Sequence, residues 1–112
     1  MIVAKWQSDL RIIRDEKNEA LPAAIAGIHR LVTVCANKTG QSYKLRALLY
    51  SLWNGQPASL LEIVSLDWEL RKDFLAVLLA FGQEEFFYDA IKSAFVARGL
   101  FDWFIEAQKE VA

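Results

Sequence analysis

The chain has 112 residues, enough for one domain with its own core, and a composition of 54% hydrophobic residues with five Gly and two Pro excludes a largely disordered chain. Its 13 basic and 14 acidic residues are mixed along the sequence, which argues against binding of nucleic acid through a clustered basic face. A single cysteine excludes an intramolecular disulfide, and neither a secretory signal nor a membrane-length apolar run is present, so we expect a cytoplasmic protein with one domain over residues 1–112 and no membrane insertion.

Apolar residues at helical spacing, separated by polar and glycine-containing breaks, predict an all-α protein. The first predicted helix covers about residues 2–17, and the second begins near Asn18, with Pro22 in its first turn. The predicted buried stripe of the second helix consists of Leu21, Ile25, Ile28, Val32 and Cys35. A third helix begins at Gln41-Ser42, directs leucines inward and ends at Gly55, a residue type that suits a left-handed C-cap.

The second half of the chain contains four more predicted helices. A Ser-Leu-Leu-Glu capping box at Ser59 begins a short fourth helix, and Asp67 is a candidate N-cap for the fifth. The sixth predicted helix covers about residues 84–98, and Asp102 is a candidate cap for a final short helix.

The fifth predicted helix, at about residues 67–81, has apolar side chains around most of its circumference. One face carries Leu70, Phe74, Val77, Leu78 and Phe81, and a neighbouring face carries Leu75 and Leu79. A helix that is apolar nearly all round is normally buried on several sides. We therefore predict a compact single-domain bundle of about six or seven helices packed around this central helix.

Three short motifs lie in the stretch from about Leu31 to Gly82: Thr39-Gly40-Gln41-Ser42, Trp53-Asn54 at the end of an apolar helix, and Leu66-Asp67 followed by Asp73. Together they resemble a bacterial domain-of-unknown-function family of small helical proteins often found near mobile elements. The resemblance implies a mostly helical fold and a bacterial, phage or plasmid origin. It implies no particular activity.

The sequence contains no pattern typical of a catalytic, cofactor-binding or metal-binding site. His29 is the only histidine and has no acidic residue three or four positions away that could orient it as a general base. His29 and Cys35 do not make a set of metal ligands. Gly40-Gln41-Ser42 precedes a helix but lacks the glycines and lysine of a phosphate loop, and helix capping explains it. We therefore predict no catalytic, cofactor or metal residue.

Surplus aromatic residues give the strongest functional indication. Several of them fall outside the predicted core faces and have the composition of a protein interface, and the equally weighted alternative is that they are ordinary exposed surface. The predicted interface residues are Trp103, Phe86, Tyr88, Tyr43 and Tyr50. The basic residues Arg46, Arg71 and Lys72 could steer an acidic partner, although charged residues on a helix more often form only a solvated face.

These features favour a non-enzymatic protein-interaction module that self-associates or modulates a larger bacterial or phage-linked complex. The alternative is a small helical nucleic-acid-associated regulator, because the fourth and fifth predicted helices, joined at Leu66-Asp67, are the nearest match to a helix-turn-helix. Its recognition helix, residues 68–81, is too apolar for a DNA groove. An enzyme with an unfamiliar site has no support in the sequence.

Overall fold

A computed structural model of the chain describes residues 20–80 and 86–107, with side chains described for 20–80 and 88–107. Within these ranges the chain forms helices and no strand, which confirms the predicted all-α class. The helices are α1 (20–35), α2 (Gly40–Asn54), α3 (Leu60–Val64), α4 (Trp68–Ala80), α5 (Phe86–Ala97) and α6 (Phe101–Ile105). They correspond to the second to seventh predicted helices, and the first predicted helix lies outside the described residues.

Local capping interactions determine where α2 and α3 begin and end. The Thr39 hydroxyl accepts a hydrogen bond from the Ser42 backbone N–H at 3.4 Å, at the start of α2. Gly55 ends α2 in a left-handed conformation with φ of 68°, which a Cβ would strain. The Ser59 hydroxyl accepts from the Leu61 backbone N–H at 3.2 Å and caps α3. The predicted caps at Gly55 and Ser59 are confirmed, and Thr39 is the N-cap residue of α2.

An aromatic cluster occupies the core where α2, α5 and α6 meet. Phe95 of α5 and Phe104 of α6 stack with ring centroids 4.1 Å apart and ring planes 16° apart. From α2, the rings of Trp53 and Tyr50 contact Phe104 edge-on, with centroids at 5.5 and 5.6 Å. Phe104 is fully buried and therefore joins three helices through one side chain.

Helix α4 packs on one side only. Phe74 and Val77 are buried, whereas Leu75 and Leu79 on the other side are 50% and 71% exposed. In the described part of the chain it is α2 that contacts α3, α5 and α6, and the central position predicted for the helix at residues 67–81 is not confirmed there. When a helix is apolar around its whole circumference, burial of either face is favourable. The apolar pattern does not show which of the faces other helices cover.

Helix α1 approaches α4 closely at Gly27. A Cβ at Gly27 would lie 3.1 Å from the Asp73 carbonyl oxygen, so the missing side chain allows the two helices to pack at short distance. The buried face of α1 includes Ala24, Ile28, Leu31, Val32 and Cys35. This face is rotated from the predicted stripe, since Leu21 and Ile25 are only half-buried.

Candidate protein-binding surface

Tyr50, one of the predicted interface residues, belongs to the core instead. It is only 4% exposed, and its ring lies 5.9 Å from Trp53 and 5.6 Å from Phe104. The Asn54 amide donates a hydrogen bond to the Tyr50 hydroxyl at 3.3 Å. The predicted exposure of Tyr50 is wrong because α6 covers the side of α2 that lacks leucines.

Trp103 and Tyr43 hold a buried arginine between them. The guanidinium carbon of Arg46 lies 4.7 Å from the Trp103 ring centroid and 5.0 Å from that of Tyr43. Arg46 is 1% exposed, and its Nη1 donates to the Trp103 carbonyl at 3.3 Å. A desolvated cation–π contact can contribute ~2 kcal/mol, so this arrangement fixes α6 on α2. Arg46 is thus not part of a solvated basic face, and Trp103 is half-buried against its own domain.

The remaining predicted interface residues do not form one described surface. Tyr43 and Tyr88 are 44% and 39% exposed, and Phe86 lies in α5 with its side chain outside the described residues. Tyr43 and Trp103 are brought together, with ring centroids 5.7 Å apart. An interface role for Trp103, Tyr43, Tyr88 and Phe86 stays a prediction.

A larger exposed apolar area lies on α3 and α4. Six large side chains there are between 50% and 77% exposed: Leu60, Leu61, Val64, Trp68, Leu75 and Leu79. We name this group the α3–α4 surface. The largest apolar patch on a typical monomer measures ~300–600 Å² and often has a binding function.

On α4 the exposed apolar residues form a straight stripe. Trp68, Leu75 and Leu79 are seven and four residues apart, so they fall within about 40° of one another and extend over about 16 Å of helix. Val77 lies about 180° from Trp68 and faces the core. Helix α4 therefore has two opposite apolar faces, of which the rest of the described chain covers one.

Two cations adjoin this stripe. The Arg71 guanidinium carbon lies 5.4 Å from the Trp68 ring centroid, and its Nη1 donates to the Val64 carbonyl at 3.3 Å, which links the parts of the surface on α3 and α4. The Arg71 Nε is buried and has no hydrogen-bond partner among the described residues. Lys72 pairs with Glu69 at 3.4 Å, but both side chains are largely exposed, so the pair contributes little.

A groove of about 650 Å³ lies between α1 and α4 beside their close contact. At its edge Arg30 donates from Nε and Nη2 to the two Asp73 carboxylate oxygens, at 2.9 and 2.7 Å. Hydrogen bonding to Asp73 and its negative charge raise the pKa of the Arg30 guanidinium. The pair joins α1 to α4. Because Arg30 occupies both oxygens of the buried Asp73 carboxylate, that carboxylate is not free to act as a general base.

No described residue shows the environment of an activated nucleophile or a metal site. Cys35 is fully buried, and desolvation raises the pKa of its thiol to about 12, so the reactive thiolate is suppressed. His29 is exposed on α1. Among the described residues no group of three His, Cys, Asp or Glu side chains is placed to hold a metal ion. None of the described helices has the length and apolar character needed to span a membrane.

Two features of this region can be traced to the sequence, although the helical periodicity alone did not predict them. Asp73 lies three residues after Leu70 and four before Val77, which places a carboxylate on a buried face and so calls for a cationic partner. The spacing of Trp68, Leu75 and Leu79 marks a second stripe on α4. The identity of Arg30 as the partner and the exposure of the stripe follow only from the tertiary structure.

Comparison with known protein families confirms the resemblance to an uncharacterised family. A family model described as a family of unknown function (DUF7673) matches residues 25–102, more than half of the chain. No curated protein and no solved structure matches the chain. The matched range includes the Arg30–Asp73 pair and the whole α3–α4 surface, whereas Trp103 lies just beyond it. The chain therefore belongs to the DUF7673 family of unknown function.

Proposed function

We propose that this protein is a non-enzymatic protein-interaction module that binds its partner through the α3–α4 surface. The observation that supports the proposal is the exposure of six large apolar side chains on two consecutive helices, beside a core whose residues are almost fully buried. Covering one such side chain contributes roughly 1.5–3 kcal/mol, so a partner that covers several would gain substantial binding free energy. The proposal assigns the interface to α3 and α4, and an interface role for Trp103, Phe86, Tyr88 and Tyr43 stays a separate prediction.

The partner that we propose is a larger cytoplasmic complex of bacterial, phage or plasmid origin, in keeping with the family resemblance. The module would then be an accessory subunit or modulator of that complex.

The test is affinity purification of the tagged full chain from its native host, followed by mass spectrometry. We expect the double variant Trp68→Ala/Leu79→Ala to lose the partner, because it removes two anchors of the surface while leaving the core intact. Val96→Ala is the matched control, since Val96 is also an exposed apolar residue, 53% exposed, but lies on α5. Equal recovery by all three proteins, with unchanged circular dichroism, would contradict the proposal.

The alternative, a nucleic-acid-associated regulator, would use α4 as a recognition helix after α3. The outward stripe of α4 carries Trp68, Leu75 and Leu79, and of these only the Trp68 indole N–H could donate a hydrogen bond to a base edge. We therefore expect no binding to generic duplex DNA at moderate salt. Binding that weakens steeply between low and moderate salt would instead favour the alternative.

A further inference from the structure

Building on the proposed function, we propose that the α3–α4 surface binds one amphipathic helix of the partner, and that acidic residues border the apolar stripe of that helix. The shape of the stripe, the charges beside it and the poor fit of a second copy support this inference.

The stripe on α4 has the dimensions of a helix–helix contact. Trp68, Lys72, Leu75 and Leu79 follow a four-, three- and four-residue spacing, which is the spacing of the apolar seam in paired helices. An amphipathic helix docks through anchors with the same periodicity. The stripe is about 16 Å long, so three turns of a partner helix would cover it.

The charges within this seam favour an acidic partner. Lys72 lies between Trp68 and Leu75, and among the described residues it pairs with the exposed Glu69 at 3.4 Å. Arg71 lies against the Trp68 ring, has a buried Nε without a hydrogen-bond partner and makes no ion pair within the described residues. A partner that covers Trp68 would remove water from both cations. Carboxylates on the covering helix would offset that desolvation, and neutral or basic residues would not.

The same charges argue against a second copy as the occupant. An isologous contact whose twofold axis passes near Lys72 would bring Lys72 and Arg71 of the two chains close together. Like charges in a desolvated interface are unfavourable, and a lysine in the seam of paired helices lowers the stability of the pair.

The experiment measures binding of two synthetic helical peptides to the full-length protein by fluorescence anisotropy at low salt. Both peptides carry leucine along one stripe; one has glutamate along both borders and the other has lysine. We expect the glutamate peptide to bind at least about tenfold more tightly than the lysine peptide. The variant Arg71→Glu/Lys72→Glu should reverse this preference. The control Lys92→Glu/Arg98→Glu changes the net charge equally at exposed positions on and just after α5 and should keep the original preference.

Each other outcome overturns the inference. Equal binding of the two peptides, no binding of either, or the same preference in both double variants would exclude an acidic helix. Concentration-dependent dimerisation in sedimentation experiments that is lost in Trp68→Ala/Leu79→Ala would make a second copy the occupant. If those two substitutions abolish partner recovery but the glutamate peptide does not bind, the proposed function survives and only the helical, acidic character of the partner is wrong.

Discussion

Replacement of Phe104 by alanine tests whether the aromatic cluster of α2, α5 and α6 is the structural centre of the domain. Phe104 is fully buried, stacks on Phe95 at 4.1 Å and contacts Trp53 and Tyr50 edge-on. Burial of a phenylalanine side chain contributes roughly 1.5–3 kcal/mol, and the cavity left by truncation adds a further cost that brings Phe→Ala changes to about 3–5 kcal/mol. We expect a loss of about 4 kcal/mol, because neighbours from two other helices limit collapse into the cavity.

The assay is urea unfolding followed by tryptophan fluorescence and by circular dichroism. Trp53 lies 5.5 Å from Phe104 and is one of the four tryptophans that contribute to the emission, so part of the signal reports on the cluster. Ile105→Ala is the control: Ile105 is the next residue of α6 but is 38% exposed, and its truncation should cost less than about 1 kcal/mol. Phe104→Leu, which keeps most of the volume, provides a measurable variant if the alanine variant does not fold. A loss below about 1 kcal/mol for Phe104→Ala, with an unchanged denaturant slope, would refute the assignment of the core.

Further predictions concern the two faces of α4, the thiol and the cap of α2. Phe74→Ala should cost roughly 3–5 kcal/mol and Leu79→Ala less than about 0.5 kcal/mol, as measured by urea unfolding. Cys35 should react with a thiol reagent only after unfolding. Because burial raises the pKa of its thiol from 9.0 to about 12, the free energy of unfolding should fall as the pH rises through that range. Gly55→Ala should lower the unfolding temperature, because φ is 68° there, whereas Gly40→Ala, at the start of α2 with open space around it, should raise it.

The boundaries of α2 and α3 were predictable from the sequence because capping is local. The Thr39 and Ser59 hydroxyls each bind a backbone N–H two or three residues away, and the left-handed residue Gly55 needs no tertiary contact to end a helix. The chain therefore carries the information for these boundaries within a few consecutive residues.

The placement of charged and aromatic residues was not predictable in the same way. From the sequence Arg46 is expected on a solvated face of α2, yet it is buried because Tyr43 and the distant Trp103 enclose it. Tyr50 has the helical position of a surface residue, but α6 covers it. In both cases the decisive contact comes from residues more than fifty positions away, and helical periodicity contains no information about such contacts.

The orientation of α4 depends on a polar residue, although nearly all of the helix is apolar. Both of its faces would gain from burial, so apolar area alone does not select the inner one. Asp73 lies on the same side of α4 as Val77. On that side Arg30 donates hydrogen bonds to the Asp73 carboxylate, and Gly27 allows the Asp73 backbone to approach α1 closely. Turning α4 by half a revolution would break this pair, expose Val77 and bury Arg71, which makes no ion pair among the described residues. The ion pair with α1 thus selects the inner face, and by doing so it leaves the second apolar face of α4 exposed.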